Sequence, residues 1–233
     1  MADCPLVSVI IPVYNGEPYL AEALKGVLSQ AYRPLEVIVL NDGSTDGSAA
    51  VAQRFPPPVC TVHQARAGAG AARNHGVALT SGAFVAFLDA DDLWATDKLP
   101  RQMSAFDADP ELDLTFGHVQ QFISPELGQA QKARLVCPDE AIPGYLPGAM
   151  LGKRAAFNRV GPFRVDLRVG EFVDWYSRAM DLGLRSVLLP DVLLKRRLHA
   201  TNLSLGGGQN RMDFVRVAKA ALDRRRNANR KDG

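Results

Sequence analysis

The sequence predicts an α/β fold in which helices flank a mostly parallel sheet. Short apolar runs rich in β-branched residues recur through about the first 100 residues, and apolar residues at helical spacing follow them. This alternation is typical of a doubly wound sheet with right-handed crossovers. A length of 233 residues suits one large domain, or one domain with a small appendage.

The first half of the chain contains four predicted strands with helices between them. Residues 7–13 are almost continuously apolar, as in a strand buried on both faces. Ser44 or Thr45 is expected to cap the second helix, and Pro56-Pro57-Pro58 to end it. The other predicted strands are residues 35–40, 59–63 and 83–88, and the predicted helices are residues 18–30, 46–54 and 68–79.

After residue 107 the alternation changes to a smaller, mixed pattern. We expect residues 1–107 and 108–206 to be two halves of one domain, and residues 207–233 to be a basic helix and tail. The predicted strands here are residues 112–116, 119–123 and 186–198, and the predicted helices are residues 153–160, 171–182 and roughly 209–226. A Gly/Pro-rich segment, residues 143–148, lies between them.

Composition excludes several classes of protein. The net charge of +2 gives no bias towards nucleic acid, so no nucleic-acid partner is expected. Cys4, Cys60 and Cys137 are far apart, which fits a reducing compartment and not a disulfide framework. No signal peptide is visible and the apolar runs are shorter than the roughly 20 residues that span a bilayer, so a cytoplasmic protein is expected.

The charge of the chain is concentrated at its end. From Gln209 onward there are 8 Lys/Arg and 3 Asp/Glu, a net charge of +5 on a slightly acidic body. Such a tail is compatible with peripheral contact with anionic lipid at the inner membrane face. A solvated terminal helix is the alternative interpretation.

The acidic turn Asp89-Ala90-Asp91-Asp92 follows the fourth predicted strand. Three carboxylates in four residues repel one another unless a cation is near. Mg²⁺ or Mn²⁺, which prefer oxygen ligands, would remove that repulsion and could also hold phosphates. A helix-capping cluster is the alternative, with Asp92 or Thr96 as the cap.

Two further polar motifs lie at predicted strand ends, Tyr14-Asn15-Gly16-Glu17 and Asn41-Asp42-Gly43-Ser44. Ligands of doubly wound sheets bind outside the carboxyl ends of the strands, so these motifs and the acidic turn are expected to form one site. The Tyr14 ring could stack on a base, and Asp42 could accept from a base or a ribose. Each residue could instead serve only its turn. No Walker A motif or nucleophile elbow is present.

These segments resemble the ordered signature of family 2 glycosyltransferases. The matching stretches are residues 7–15, 41–46, 72–76 and 87–92, which end in the sequence Phe-Leu-Asp-Ala-Asp-Asp. The resemblance implies a GT-A fold, a Rossmann-like sheet with a nucleotide-sugar-binding half (residues 1–107) and an acceptor-binding half (residues 108–206). It also implies a mostly inverting sugar transfer from a nucleotide sugar.

The resemblance assigns expected roles to single residues. The first β-α loop would line the nucleoside pocket together with Asp42, while Arg73 would face the diphosphate. Asp89 would lie near the ribose and Asp91 on the metal. His199, in a segment similar to the family's H-x-x-N-x-S, would complete the metal site. The residues expected in the first loop and its strand are Pro12, Tyr14, Asn15 and Glu17.

By resemblance, the catalytic base would be the aspartate of a Glu-Asp pair at the start of a helix, and this chain departs from that pattern. Here Glu171 matches the glutamate and Phe172 stands at the aspartate position. Asp174 shares a helical face with Glu171 and is the preferred candidate because it adjoins Trp175, which could stack on an acceptor. Glu171 is the second candidate, and the third possibility is that neither acts.

The sequence therefore predicts a metal-dependent inverting glycosyltransferase with a nucleoside-diphosphate-sugar donor, expected to be UDP-linked. The acceptor would be a glycan, a lipid-linked sugar or another cell-surface precursor. Residues 143–150, 171–175 and the loop 201–208 would form the acceptor side, with that loop as a lid. The alternatives are a sugar-1-phosphate nucleotidyltransferase, disfavoured by the acidic first loop, and a non-catalytic nucleotide-sugar-binding protein.

Overall fold

The computed structural model describes residues 4–199 and 208–229. Within these residues the strands form one nine-stranded sheet with the order β3-β2-β1-β4-β8-β6-β9-β5, and β7 pairs with β6. The strands are β1 (Val7–Val13), β2 (Leu35–Asp42), β3 (Val59–Gln64), β4 (Phe84–Phe87), β5 (Leu93–Trp94), β6 (Leu114–Ile123), β7 (Ile142–Pro143), β8 (Leu151–Lys153) and β9 (Ser186–Leu198).

Helices cover both faces of this sheet, as the alternating pattern predicts. They are α1 (Glu17–Leu28), α2 (Ser48–Gln53), α3 (Ala69–Leu79), α4 (Lys98–Ala108), α5 (Gln129–Lys132), α6 (Arg154–Val160), α7 (Glu171–Asp181) and α8 (Gly208–Asn229), with a 3₁₀ turn at Pro147–Ala149. Buried residues form two apolar clusters, one packed against α1 and α4 and the other against α6 and α7.

The first four strands run parallel, and β1 lies at their centre with every residue buried except Pro12, which is half-buried. A proline in a central strand removes a hydrogen-bond donor. Here β4 pairs with β1 only as far as Ile10, so Pro12 lies beyond the end of that ladder. Beyond Ile10 the ends of β1 and β4 are therefore not paired, and the crevice expected at this edge of the sheet, on the side where Pro12 lies, is called the cleft below.

The second half of the sheet is mixed. β8 is antiparallel to both β4 and β6, while β9 runs parallel to β6 and antiparallel to β5. The strand-like stretches 112–116 and 119–123 are one strand, β6, interrupted by a register shift at Gly117. A side chain on Gly117 would collide with Leu193, which explains why the irregularity falls on a glycine.

Two local expectations are wrong. Neither Ser44 nor Thr45 caps α2, because Asp46 Oδ1 instead accepts from the backbone nitrogen of Ser48 at 3.0 Å. The short strand β8 lies where only a Gly/Pro-rich segment and a helix were expected.

Candidate functional site

The loops after β1 and β2 are tied to each other at the open edge of the sheet. Asn15 adopts a positive φ of 52°, and its Oδ1 accepts from the backbone nitrogen of Thr45 at 2.8 Å. Glu17 Oε2 accepts from the backbone nitrogen of Gly47 at 2.7 Å. Asn15 and Glu17 were both expected in the nucleoside pocket. Here their side-chain oxygens bond the loop after β2, so these two residues fix the shape of the cleft.

Asp42 ends β2 at the floor of the same cleft and is 4% exposed. Its Oδ1 accepts from Gln64 Nε2 at 2.7 Å and from the backbone nitrogen of Ala67 at 2.8 Å, and its Oδ2 accepts from that of Gly68 at 2.8 Å. These bonds use three of the roughly four acceptor sites of a carboxylate. Asp42 therefore fixes the loop that leads into α3, and one acceptor site remains for a ligand.

Tyr14 lies at the rim of the cleft and is 39% exposed. The Arg66 guanidinium lies 3.7 Å from the centre of its ring, a cation–π arrangement that covers one face. Arg66 begins a loop of small residues, Ala67-Gly68-Ala69-Gly70, and no role was predicted for it. Its position next to Tyr14 and the Asp42 loop puts a positive charge at the mouth of the cleft.

Arg73 on α3 lies beneath the acidic turn and is 3% exposed. Its guanidinium donates to Asp89 Oδ1 at 2.6 Å and to Glu171 Oε1 at 2.5 Å. Burial disfavours the charged guanidinium, but the two carboxylates outweigh it and raise the pKa of Arg73. Arg73 thus joins the acidic turn to the N-terminus of α7, two segments 82 residues apart in the chain (89 and 171).

The remaining two carboxylates of the acidic turn contact the end of β9. Asp91 Oδ2 lies 2.8 Å from His199 Nε2, while Asp92 Oδ1 accepts from the backbone nitrogen of Arg197 at 2.9 Å. Burial raises the pKa of Asp92 well above its usual range, and the charges of Asp91 and Asp89 add to that effect. Asp92 is therefore an internal residue of the turn, while Asp91 faces the cleft.

Asp91 and His199 are suited to hold a divalent ion together with a phosphate ligand. No group of three or more His, Cys, Asp or Glu side chains within residues 4–199 and 208–229 is arranged to hold a metal by itself. Mg²⁺, however, is usually bound through one or two carboxylates plus substrate phosphates and water. The Asp91 carboxylate meets that requirement, and the imidazole nitrogen of His199 beside it is a second ligand that Mn²⁺ can also accept.

Arg197 is a functional candidate that sequence reasoning missed, and it is 4% exposed. Its Nε donates to the backbone oxygen of Asp91 at 2.9 Å, and its Nη2 donates to Glu22 Oε2 at 2.5 Å. Its guanidinium also lies 4.8 Å from the centre of the Tyr19 ring, which in turn lies 4.8 Å from the His199 ring. The only sequence signal was its position two residues before His199.

Comparison with known proteins decides the family. The model of "Glycosyl transferase family 2" matches residues 8–161. The chain belongs to this family. An uncharacterised glycosyltransferase of Rickettsia typhi is 28% identical over 216 residues, which cover 86% of this chain and 67% of the relative.

Solved structures show the fold of this family 2 glycosyltransferase. TarS of S. aureus in complex with UDP-GlcNAc superposes with a TM-score of 0.71 at 21% identity, covering 91% of this chain and 65% of that one. The mannosyltransferase PcManGT of Pyrobaculum calidifontis, in complex with GDP-Man and Mn²⁺, gives 0.64 at 25% identity, covering 86% and 59%. The fold is GT-A. The TarS chain in that complex is the fragment 1–349, and this chain covers 38% of a longer TarS chain. It covers 67% of the Rickettsia typhi relative and 59% of PcManGT.

The helix α7 of this family 2 member differs from what the sequence suggested. Trp175 is fully buried and donates from Nε1 to the backbone oxygen of Gly161, so the expectation that it stacks on an acceptor is wrong. Asp174 is 1% exposed, and its Oδ2 accepts from Arg178 Nε at 2.9 Å. The burial of Trp175 therefore removes the reason for preferring Asp174 to Glu171.

Phe172, which the resemblance in sequence places at the aspartate position, packs within the aromatic cluster. It is 4% exposed, and its ring lies parallel to that of Tyr176, 3° apart, with centres separated by 6.3 Å. Glu171 is therefore the α7 carboxylate that reaches the acidic turn, through Arg73. The predicted lid 201–208 lies outside the described residues, apart from Gly208 at the start of α8.

Proposed function

We propose that this protein is a metal-dependent inverting glycosyltransferase whose donor is a nucleoside-diphosphate sugar, with UDP as the expected nucleotide. The observation that carries the proposal is the contact of Asp91 with His199 at 2.8 Å, beside the Arg73–Asp89 pair and at the same sheet edge as Asp42. The complexes of TarS with UDP-GlcNAc and of PcManGT with GDP-Man support a donor of this class.

The donor would lie along the cleft with its base at the β2 end. Its base would stack on the free face of Tyr14 beside Pro12, and the remaining acceptor site of Asp42 would take a base or ribose N–H or O–H. Asp89 would accept from the ribose. Arg66 would supply positive charge that favours a diphosphate, whereas the charge of Arg73 is already balanced by Asp89 and Glu171.

A divalent ion, Mg²⁺ or Mn²⁺, would be held by Asp91 and His199 together with the diphosphate. When bound, it would stabilise the negative charge on the departing diphosphate. The complex of the structural neighbour PcManGT with Mn²⁺ supports a divalent ion here. Arg197 would keep the turn in place, since it bonds the backbone oxygen of Asp91.

The chemical step needs a base that takes the acceptor hydroxyl's proton as its oxygen attacks the anomeric carbon. The carbon–oxygen bond to the diphosphate breaks as the new glycosidic bond forms, and the proton goes to a carboxylate. We propose Glu171 for this role, in place of Asp174. Both are buried and paired with an arginine, but the partner of Glu171 is Arg73, which also bonds Asp89 of the acidic turn, whereas Asp174 pairs with Arg178 of its own helix. A well-placed base contributes about 10²–10⁴-fold to the rate.

The two candidates can be separated by matched amide variants. Glu171→Gln is expected to lower the transfer rate by at least about 10²-fold with UDP binding unchanged, while Asp174→Asn changes mainly the melting temperature. Rates are measured by acceptor-dependent UDP release, and binding by calorimetry. A fully active Glu171→Gln enzyme would remove Glu171 from the step, and loss of turnover in Asp174→Asn alone would restore the first preference.

The overall proposal is tested by release of free nucleoside diphosphate from UDP-, GDP- and dTDP-sugars with Mg²⁺ or Mn²⁺. Binding without release from every donor would contradict the proposal and indicate a protein that only binds nucleotide sugars. A pyrophosphate product from a nucleoside triphosphate would indicate a nucleotidyltransferase.

The acceptor proposed is a glycan, a lipid-linked sugar or another cell-surface precursor, which would bring the protein to the inner membrane face. Among the described residues no helix is long and apolar enough to cross a membrane. Three arginines of α8 pair with Asp166 and Asp181, which precede this helix in the chain. Fewer of its positive charges are therefore available to anionic lipid than the net charge of +5 suggested. The outward face of α8 could still make a peripheral contact, through exposed Arg211, Lys219 and Arg226 beside Met212, Val215 and Leu222.

A further inference from the structure

Residues 144–150, which precede β8, are hydrogen-bonded to β5 and α4, the elements that follow the acidic turn. Three buried side chains donate to three successive backbone oxygens, those of Gly148–Met150. Trp94 Nε1 bonds the first at 2.8 Å, Gln102 Nε2 the second at 3.0 Å and Lys98 Nζ the third at 3.1 Å. Because Trp94 follows Asp91 by only three residues, the segment is held next to the acidic turn.

Tyr145 lies in a tight turn at the start of this segment. The backbone nitrogen of Leu146 donates to the backbone oxygen of Gly144 at 2.7 Å, a tight turn centred on Tyr145. Gly144 packs directly on β6, since a Cβ there would lie 2.1 Å from the backbone oxygen of Gly117. Two glycines in contact therefore fix the position from which the Tyr145 side chain projects.

The ring of Tyr145 is both supported and accessible. It stacks on Tyr176 with centres 5.5 Å apart and an angle of 28°, and it contacts Phe116 with centres 5.2 Å apart. Tyr145 nevertheless remains 44% exposed. Tyr176 belongs to α7 and lies five residues after Glu171, about 7.5 Å along the helix axis.

We propose that Tyr145, backed by Tyr176, is an acceptor subsite that stacks on the pyranose ring of a saccharide acceptor. The inference rests on the proposed function and narrows its acceptor to a sugar. A pyranose presents C–H groups on its face and hydroxyls at its edge. A fixed aromatic face with a phenolic hydroxyl at its tip complements both. The fastening of the segment keeps this ring at a constant distance from the acidic turn.

The test uses saturation-transfer NMR on the full chain with UDP and Mg²⁺. The probes are the methyl β-glycosides of glucose, galactose and N-acetylglucosamine at millimolar concentration. Wild type and Tyr145→Phe are expected to transfer saturation to the ring protons of at least one glycoside. Tyr145→Ala is expected to weaken its binding about three- to tenfold, and the exposed control Leu79→Ala to leave it unchanged.

Calorimetric measurement of UDP binding distinguishes failure of the acceptor subsite from failure of the proposed function on which it rests. If UDP binds and Tyr145→Ala gives the wild-type signal, or if none of the glycosides gives a signal, the acceptor subsite is refuted and the donor site stands. If wild type does not bind UDP with either metal ion, the proposed function fails first. Equal UDP affinity and a similar melting temperature in Tyr145→Ala show that a lost glycoside signal does not come from unfolding.

Discussion

Replacing Arg73 with methionine tests the electrostatic connection between the acidic turn and α7. Methionine keeps much of the aliphatic volume and removes the charge. Glu171, whose side chain is 11% exposed, would then be buried without the cation that it bonds at 2.5 Å. Removing one partner of a buried pair costs about 3–5 kcal/mol of unfolding free energy. Asp89 adds at most about 1 kcal/mol, because its side chain is 41% exposed and solvent screens it.

One term acts in the opposite direction. The Nε–H of Arg73 is buried and has no hydrogen-bond partner among the described residues, and its removal recovers about 1 kcal/mol. The net destabilisation expected for Arg73→Met is therefore about 3 kcal/mol. For a chain of this length that corresponds to a melting temperature lower by roughly 6–12 °C.

The assay is thermal unfolding followed by circular dichroism for a cycle of variants. Glu171→Gln in the Arg73→Met background removes the stranded charge and is expected to recover at least half of the lost stability. Glu171→Gln alone leaves Arg73 paired with Asp89 and is expected to have a smaller effect. A melting temperature of Arg73→Met within about 2 °C of wild type, or a double variant no more stable than the single one, would refute the reasoning.

Three further predictions concern the metal, the core and the tail. Asp91→Asn is expected to weaken Mn²⁺-dependent UDP binding at least about tenfold in calorimetry, with exposed Asp107→Asn as the control; equal affinities would remove Asp91 from the metal site. Burial lowers the pKa of Lys98 well below its usual value. At pH values between the folded-state pKa of Lys98 and about 10.4, Lys98 is protonated in the unfolded chain and neutral in the folded one. The free energy of unfolding therefore rises with pH in this range. Lys98→Met is expected to flatten this rise in urea titrations, whereas parallel curves would contradict it. Neutralising the three outward basic residues of α8 is expected to reduce sedimentation with anionic vesicles, and unchanged partitioning would make the tail a solvated helix.

The fold of the donor half, residues 1–107, was predictable because each of its strands is identified by its own short run of apolar residues. Runs such as residues 7–13 and 35–40 are apolar on both faces, which only a covered parallel sheet requires. Once β1, β2 and β4 are parallel neighbours, their loops must meet at one edge. That argument brings Tyr14, Asp42 and the acidic turn together without any knowledge of side-chain contacts.

The site residues of the acceptor half, residues 108–206, were less predictable because their roles depend on burial and on ion pairs with distant residues. Glu171 and Asp174 are both carboxylates at the start of α7, and nothing in their spacing indicates that one pairs with Arg73 and the other with Arg178. The bulge at Gly117 divided one strand into two apparent ones. Arg197 acts through contacts with distant segments, which a single sequence does not display.

The packing of Phe172 limits how this position could be redesigned. Its ring contacts those of Phe116, Trp175 and Tyr176, so an aspartate placed there would leave a cavity costing about 3–5 kcal/mol and would bury a charge among aromatic rings. Phe172→Asp alone would therefore destabilise the protein without giving a solvent-accessible carboxylate. A second carboxylate at the start of α7 requires that the surrounding rings be replaced together with Phe172.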